Sequence, residues 1–328
     1  MSSSYNIIIS TSESTVVSEY EPQTKRSDAY QSEAALEAAF IKMLGEQGYE
    51  YISIHKEEDL IANLRKQLEL LNNFSFTDQE WETFFNTKIA NNNDSIVEKT
   101  RKIQEDYVQN LTCEDGRTQN IKLIDKTNIH NNRLQVINQY EEDAGKHDSR
   151  YDVTILVNGL PLVHIELKRR GVAIKEAFNQ INRYQRDSFW ASSGLYEYVQ
   201  IFVISNGTYT KYYSNTTRSS HIKENDGFSR KRSKKTSNSF EFTSYWSDGN
   251  NNVIADFTKT FFAKHTLLNI LTKYCVFTSE ELLLVMRPYQ IVATERILNR
   301  IETSHNSKKT GTIDAGGYIW HTTGSGKT

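Results

Sequence analysis

The segment from Asp152 to Lys168 restricts the fold of this chain more than any other, because apolar and charged residues alternate along it. Two runs, Asp152-Val-Thr-Ile-Leu-Val157 and Leu162-Val-His-Ile-Glu-Leu-Lys168, flank the turn-forming pair Asn158-Gly159. Successive side chains of a strand point to opposite faces of a sheet. The alternation therefore predicts a β-hairpin with one apolar face, while the other face carries Asp152, Glu166 and Lys168.

The same alternation predicts how the two strands pair. A two-residue Asn-Gly turn pairs Val157 with Leu160 and sets Asp152 opposite Ile165, which mixes the charged and apolar faces. A three-residue loop, in which Gly159 takes a positive φ, instead sets Asp152 opposite Glu166. We predict this second register, or a β-bulge that has the same effect.

The three charged residues of the hairpin are candidates for a metal site. Two adjacent carboxylates repel each other, so burying Asp152 and Glu166 together favours stability only if they bind something. Carboxylate oxygens suit Mg²⁺, which lowers the pKa of a bound water and stabilises the charge that develops on a phosphate. Lys168 would orient that water or stabilise the phosphate. Ordinary surface strands also carry such residues, so the spacing alone leaves a solvated strand as the alternative.

A helix predicted over residues 173–190 carries two further candidates. Gln180 and Tyr184 are four residues apart and project from one face of that helix. An amide and a phenol at these positions can hydrogen-bond phosphate or backbone oxygens. The alternative is a solvent-facing glutamine beside a half-buried core tyrosine.

The end of the sequence has the pattern of a phosphate-binding loop. Gly316-Gly-Tyr-Ile-Trp320 predicts a strand that leads into Thr322-Thr-Gly-Ser-Gly-Lys-Thr328. In such a loop the backbone N–H groups surround the phosphates, the lysine reaches the β and γ oxygens, and the threonine binds Mg²⁺. His321 replaces the first glycine, as in helicase-type variants. The predicted nucleotide-binding residues are Gln290, Gly324, Ser325, Gly326, Lys327 and Thr328.

Helical and strand periodicity predicts an α/β protein. Residues 1–30 form an N-terminal extension, in which Ile7–Ile9 and Val16-Val17 predict one or two edge strands. Helices are predicted from Ser32 to about residue 47 and over 57–72, 77–90 and 94–110, with Thr77 and Glu80 as a capping box. The predicted strands cover residues 120–124, 134–140, 151–157, 162–168 and 199–205.

The second half of the chain divides into a loop region, a helical linker and the start of another domain. Residues 214–252 are rich in serine, asparagine and lysine, and the basic run Arg230–Lys235 is interpreted as a solvated loop, with contact to a DNA backbone as the alternative. Helices resume over about 255–274. The predicted boundaries are therefore 1–30, 31–250, 251–281 and 282–328.

Composition limits the class of protein. A hydrophobic content of 37% over 328 residues predicts a globular chain. The sequence has no apolar run long enough to span a membrane and no secretory signal, which together predict a cytoplasmic location. Cys113 and Cys275 are too few for a thiolate metal site or a disulfide framework. The net charge of −2 means that affinity for nucleic acid must come from local basic patches.

From about residue 30 onward, the order of these motifs resembles the motor (R) subunit of type I restriction enzymes. The resemblance rests on Asp152…Glu166-x-Lys168, Gln180-x-x-x-Tyr184, Gln290 and the helicase-type phosphate loop. It implies a restriction-endonuclease-like, PD-(D/E)xK nuclease core with added helices over 31–250, and the start of a RecA-like helicase motor over 282–328. The proline that usually precedes the first aspartate is Tyr151 here, which matters little because that proline is not a ligand.

The resemblance also implies chemistry for these residues. Asp152 and Glu166 would bind Mg²⁺ in the nuclease site, and Lys168, Gln180 and Tyr184 would complete the catalytic set. The full-length protein would bind ATP with Mg²⁺. Because the sequence stops at Thr328, we expect this chain to lack the rest of the motor and not to hydrolyse ATP by itself.

The implied substrate is double-stranded DNA, and the implied partners are a methyltransferase subunit and a specificity subunit. Two alternatives stay open, namely a repair-type nuclease-helicase without a specificity subunit and a non-catalytic DNA-binding or docking module. Glu33 or Glu37 on the first helix offers an additional carboxylate, although a solvent-facing position is the interpretation that we favour for both.

Overall fold

A computed structural model describes residues 30–142, 149–189, 191–215, 240, 243–246 and 253–320, together with the backbone of residues 5–10 and 16–20. The described residues fall into two compact units, one within Arg26–Val285 and the other within Met1–Lys25 and Met286–Thr328. No helix in these described ranges is long and apolar enough to cross a membrane.

Twelve strands lie in the described ranges, and most carry β-branched or aromatic residues, which favour strands. They are β1 (Tyr5–Ser10), β2 (Val16–Tyr20), β3 (Glu50–Tyr51), β4 (Val108–Thr112), β5 (Thr118–Lys122), β6 (Leu134–Glu142), β7 (Ser149–Val157), β8 (Leu160–Leu167), β9 (Ile201–Ser205), β10 (Thr210–Ser214), β11 (Cys275–Phe277) and β12 (Leu283–Val285).

Eight α-helices lie in the same ranges. They are α1 (Glu33–Glu46), α2 (Glu57–Asn72), α3 (Asp78–Phe84), α4 (Ile96–Gln104), α5 (Ile174–Asp187), α6 (Ile254–Thr260), α7 (Lys264–Asn269) and α8 (Pro288–Asn306). Short π-helical turns extend α3 over Phe85–Ile89 and α7 over Ile270–Tyr274. Ser32 caps α1 and the Thr77–Glu80 capping box begins α3, as the sequence predicts.

Six strands of the larger unit form one mixed sheet in the order β10-β9-β8-β7-β6-β3. The β8–β9 and β3–β6 pairs are parallel, and the other three pairs are antiparallel. All eight residues of β8 are buried, and helices α1 and α5 both contact this strand. The α/β class predicted from periodicity is confirmed.

The predicted hairpin is the β7–β8 pair, and its register is the one that aligns the two carboxylates. Val153 pairs with Ile165, so the neighbouring Asp152 lies opposite Glu166. The turn contains two residues and not three, because Val157 pairs with Leu160. A bulge then restores the predicted register, since Leu162 has no partner between the pairs of Pro161 and Val163.

The hairpin turn shows why Asn-Gly occupies it. Asn158 and Gly159 both have positive φ angles, 52° and 84°, as the two central residues of a type I′ turn require. The Asn158 side chain accepts a hydrogen bond from Arg133 N and donates one to Leu123 O. A Cβ atom on Gly159 would lie 2.6 Å from Leu64 Cα of α2, so only glycine permits this approach of turn and helix.

The prediction of a single apolar core face was wrong. The face that carries Glu166 is buried as well, because His164 and the aromatic rings around it cover that side of β8. Period-2 alternation identifies which residues share a face, but it cannot show what packs against the second face.

Several other elements also differ from prediction. The helix predicted over 94–110 ends at Gln104, and residues 108–112 form β4, which pairs with β5. The helix predicted over 255–274 is interrupted between α6 and α7, where Phe261 and Phe262 are both fully buried. Strand β10 was not predicted, and it is recognised only by its pairing with β9.

In the smaller unit, β1 and β2 pair with each other in a separate two-stranded sheet, so they are strands, as predicted, but not edges of the main sheet. The strand predicted at residues 316–320 is absent from the structure. An extended segment becomes a strand only by pairing, and no described strand pairs with this one. The phosphate-binding loop and the basic run Arg230–Lys235 lie outside the described residues.

Replacing Gly159 by alanine should destabilise the larger unit by about 2–4 kcal/mol, because the new Cβ meets Leu64 and a positive φ penalises any L side chain. Gly116→Ala is the matched control, since Gly116 has a φ of +83° but open space around it. We expect the control to lose only about 1–2 kcal/mol. Urea unfolding measures both losses, and equal losses would show that the contact with α2 does not matter.

Candidate active site

Asp152, Glu166 and Lys168 lie together at the end of the hairpin that is remote from its turn, near the start of β7 and the end of β8. Asp152 Oδ2 accepts a hydrogen bond from Leu167 N at 2.9 Å, which places it across the hairpin from Glu166. Lys168 Nζ donates to Glu166 Oε1 at 3.0 Å. The three residues predicted from the hairpin pattern therefore form one cluster, with Glu166 completely buried at its centre.

Burial and repulsion make the two carboxyl groups poor acids. Burial, followed by the negative charge of Glu166, raises the pKa of Asp152 to about 8. Burial raises the pKa of Glu166 to about 7, although Lys168 opposes the shift. Burial lowers the pKa of Lys168, but the charges of Glu166 and Asp152 outweigh this effect and leave it above its ordinary value. Near neutral pH the cluster therefore favours a cation beside the carboxylates.

The donor set fits a hard divalent cation. Glu166 Oε2 is buried and has no hydrogen-bond partner, and such an atom is costly unless something binds to it. The described residues contain no group of three or more histidine, cysteine, aspartate or glutamate side chains arranged for a metal. Two carboxylates with room for water and phosphate oxygens are the usual protein contribution to a Mg²⁺ site. Asp152 and Glu166 are the residues that would hold it.

Gln180 and Tyr184 project from one face of α5, as predicted, and they hydrogen-bond to each other. The Tyr184 hydroxyl also donates to the carbonyl oxygen of Arg150 at 2.8 Å. Arg150 lies two residues before Asp152 on β7. This hydrogen bond connects α5 to the strand that carries Asp152. The Tyr184 hydroxyl thus donates its hydrogen to a group of the protein itself.

Aromatic side chains pack against one another beside the cluster. The ring centroids of Tyr151 and Tyr184 are 4.9 Å apart, and those of Tyr151 and Tyr196 are 4.5 Å apart. The Tyr151 hydroxyl donates to Ser188 Oγ at 2.7 Å. Burial also lowers the pKa of His164, inside this aromatic group, to about 4. Tyr151 thus has a packing role at the position where a proline was expected.

Glu37 faces the sheet and not the solvent, so the solvent-facing position favoured for it was wrong. Its carboxylate accepts hydrogen bonds from Asn138 Nδ2 at 2.6 Å and from Gln139 Nε2. Gln139 lies opposite Asp152 on β6 and has a φ of +52°, a strained value for a residue other than glycine. Helical periodicity could not identify this residue, because the strained strand that it contacts lies about a hundred positions away.

Glu33, one helical turn earlier, is exposed as expected, although its Oε1 accepts a hydrogen bond from Arg169 N at 3.3 Å. A cavity of about 940 Å³ lies beside these residues. Its lining includes Glu33, Glu37, Lys42, Asn138, Arg150 and Asp152. The cluster therefore opens on the α1 side at Asp152, while Glu166 stays buried behind it.

The predicted nucleotide-binding residues belong to the smaller unit. Gln290 lies in the first turn of α8, where its side-chain oxygen accepts a hydrogen bond from Arg287 N at 2.8 Å. Its predicted contact with adenine stays a prediction. Gly324, Ser325, Gly326, Lys327 and Thr328 lie outside the described residues.

Without a divalent cation, the stability of the larger unit should fall as the pH rises. The folded-state pKa values of Asp152 and Glu166, about 8 and about 7, exceed their unfolded values of roughly 4. The stabilisation contributed by the two protonated carboxyl groups is thus fully present below about pH 4 and is lost as the pH rises through 7 to 8. Asp152→Asn should unfold at a higher temperature than the wild type at pH 9, and the difference in unfolding temperature should be smaller at pH 5. Exposed Asp59→Asn is the control, and parallel pH profiles of wild type and Asp152→Asn would contradict the assignment.

Glu37→Ala should lower the free energy of unfolding by about 1–3 kcal/mol, because it leaves the half-buried amide donors of Asn138 and Gln139 without their charged acceptor. Glu33→Ala, on the same helix, should change it by no more than about 0.5 kcal/mol. Chemical denaturation with urea compares the two variants. A loss at Glu33 as large as that at Glu37 would show that the network beside Asp152 contributes nothing specific.

Comparison with known proteins identifies the family to which this chain belongs. Residues 30–221 match the model of the type I restriction enzyme R protein N terminus, and residues 283–328 match that of the type III restriction enzyme res subunit. The chain is 50% identical over 298 residues to the type I restriction enzyme EcoprrI endonuclease subunit of Escherichia coli, which covers 90% of each chain.

Longer relatives show the same similarity. The chain is 38% identical over 309 residues to the SsaAORF53P endonuclease subunit of Staphylococcus saprophyticus, and 36% identical over 310 residues to the SauMSSORF170P endonuclease subunit of Staphylococcus aureus. These alignments cover 91% and 92% of this chain but 29% of either relative. With the family model spanning more than half of the sequence, the chain belongs to the family of type I restriction enzyme endonuclease (R) subunits.

Proposed function

We propose that residues 31–250 form the Mg²⁺-dependent DNA endonuclease domain of a type I restriction enzyme, with a restriction-endonuclease-like fold. One observation carries the proposal. Half-buried Asp152 and completely buried Glu166 are held side by side, Lys168 contacts Glu166, and Glu166 Oε2 has no hydrogen-bond partner. A structural role gives no reason to bury two repelling carboxyl groups together, whereas a site for a cation at a phosphodiester bond does.

Each residue has a distinct role in this proposal. Asp152 and Glu166 hold the metal ion, which when bound lowers the pKa of a water and polarises the scissile phosphate. Lys168 stays protonated through its contact with Glu166 and donates a hydrogen bond to a phosphate oxygen or to the attacking water. The buried surroundings strengthen these electrostatic interactions, because they exclude bulk water.

Gln180 and Tyr184 act as positioning residues in this scheme. Since the Tyr184 hydroxyl donates to Arg150 O, it holds the strand that carries Asp152 and does not offer its proton to the substrate. Gln180 orients the tyrosine through their mutual hydrogen bond. The cavity beside Asp152 is the route by which one DNA strand reaches the metal site.

The region from residue 282 onward is proposed as the start of a RecA-like translocase. The match of residues 283–328 to a restriction-enzyme res subunit supports this proposal. In the full-length protein, Gln290 and the segment Gly324–Thr328 would bind ATP with Mg²⁺. Membership of the R-subunit family supports double-stranded DNA as the substrate and methyltransferase and specificity subunits as partners.

Lys168→Ala, made in the full-length subunit and assembled with its methyltransferase and specificity partners, should reduce DNA cleavage by at least about 100-fold. ATP hydrolysis should be unchanged, because the motor does not use this lysine. Lys175→Ala, an exposed position at the start of α5, is the control and should cut normally. Cleavage by Lys168→Ala at the wild-type rate would refute the site, and failure to assemble with a methyltransferase would favour a repair-type nuclease.

A further inference from the structure

A buried histidine lies directly behind the metal-binding carboxylate. His164 precedes Glu166 by two residues on β8, so both side chains project from one face of the sheet. Both side chains are completely buried. Nε2 of His164 is 3.6 Å from Oε2 of Glu166, and neither atom has a hydrogen-bond partner. Two unpartnered polar atoms that face each other in the interior require an explanation.

The other nitrogen of the same ring begins a short chain of hydroxyl groups. Nδ1 of His164 is 3.2 Å from Oγ1 of Thr154, its cross-strand neighbour on β7. Thr154 Oγ1 is in turn 3.3 Å from the hydroxyl of Tyr196. All three side chains are buried. Solvent therefore does not decide which atom of this chain carries each proton.

Counting donors and acceptors assigns the protons. An ionised Glu166 can only accept a hydrogen bond, so the ring nitrogen that faces it must be the one that carries hydrogen. Nδ1 is then the acceptor, and the Thr154 hydroxyl donates to it. Thr154 Oγ1 is left free to accept from Tyr196. This arrangement gives every hydroxyl and both ring nitrogens a compatible partner. Hydrogen on Nδ1 would suit the backbone carbonyl of Val153, but it would leave the lone pair of Nε2 facing the carboxylate.

We propose that His164 is a positioning residue for the nuclease site. Its Nε2–H donates to one lone pair of Glu166 Oε2 and leaves the other lone pair for Mg²⁺, so it holds the carboxylate in the orientation that binds the ion, while Thr154 and Tyr196 select the tautomer that makes this possible. The inference rests on the proposed function in that it takes Glu166 as a metal ligand. The separation of 3.6 Å fits a contact that tightens when the site is filled, as such contacts often do.

Replacing His164 by glutamine or by asparagine distinguishes the positioning role from a role in packing alone. Glutamine places its amide nitrogen near the position of Nε2, whereas asparagine places its nitrogen near Nδ1 and offers nothing to Glu166. In calorimetric titration of the 328-residue chain with Mn²⁺, His164→Asn should bind about 10–100-fold more weakly than wild type. His164→Gln should bind within about threefold of wild type. Thermal unfolding checks that both variants are folded, and Asp152→Ala supplies the baseline without metal binding.

The outcomes distinguish the two levels of the proposal. A wild-type chain that binds no Mn²⁺ overturns the proposed function, and with it the positioning role. Wild-type affinity in His164→Asn overturns the positioning role alone. The tautomer has its own test, since ¹⁵N NMR of the metal-free chain at pH 9, where Glu166 is ionised, should show hydrogen on Nε2 of His164 and none on Nδ1. Hydrogen on Nδ1 would overturn the assignment even if the substitutions weaken metal binding.

Discussion

Two carboxyl groups stand side by side in the interior of the central sheet, and the surrounding structure is arranged around their mutual repulsion. Burial raises the pKa values of both Asp152 and Glu166, so ionising them without a cation opposes folding. Lys168 offsets part of this effect through its contact with Glu166. The remaining unpartnered oxygen, Glu166 Oε2, keeps a binding position open. Perturbed pKa values of this kind are common at active sites, which agrees with the proposed function.

The geometry of the pair depends on one extra residue. The Asn158-Gly159 turn alone would set Asp152 opposite an apolar residue, and the bulge at Leu162 shifts the register so that the carboxylates align. The turn cannot lengthen freely, because Gly159 packs against the backbone of α2. A bulge is therefore the available way to satisfy both the close packing of the turn and the alignment of the site.

Neighbouring elements hold the two carboxylates from different sides. Glu37 on α1 binds the strained Gln139, which lies opposite Asp152, and Tyr184 on α5 binds the carbonyl oxygen of Arg150. His164 faces Glu166 from within β8 itself. Precise orientation of charged ligands usually depends on such supporting contacts, since a ligand side chain that can rotate binds metal less tightly. Family membership supports the proposal that this cluster is a nuclease site, and these contacts show how the sequence builds the cluster.

Alternation, capping and turn chemistry act between near neighbours, so they predicted which residues share a face, where most helices begin, and that Asp152, Glu166 and Lys168 converge. Tertiary contacts set the position of the bulge at Leu162, the burial of the second face of the hairpin, and the placement of Glu37 and His164 beside the carboxylate cluster. Each of these features depends on contacts between residues that are distant in sequence. A helix some ninety residues earlier limits the length of the turn, and Glu37 accepts hydrogen bonds from a distant strand. Aromatic residues from other elements exclude water around His164.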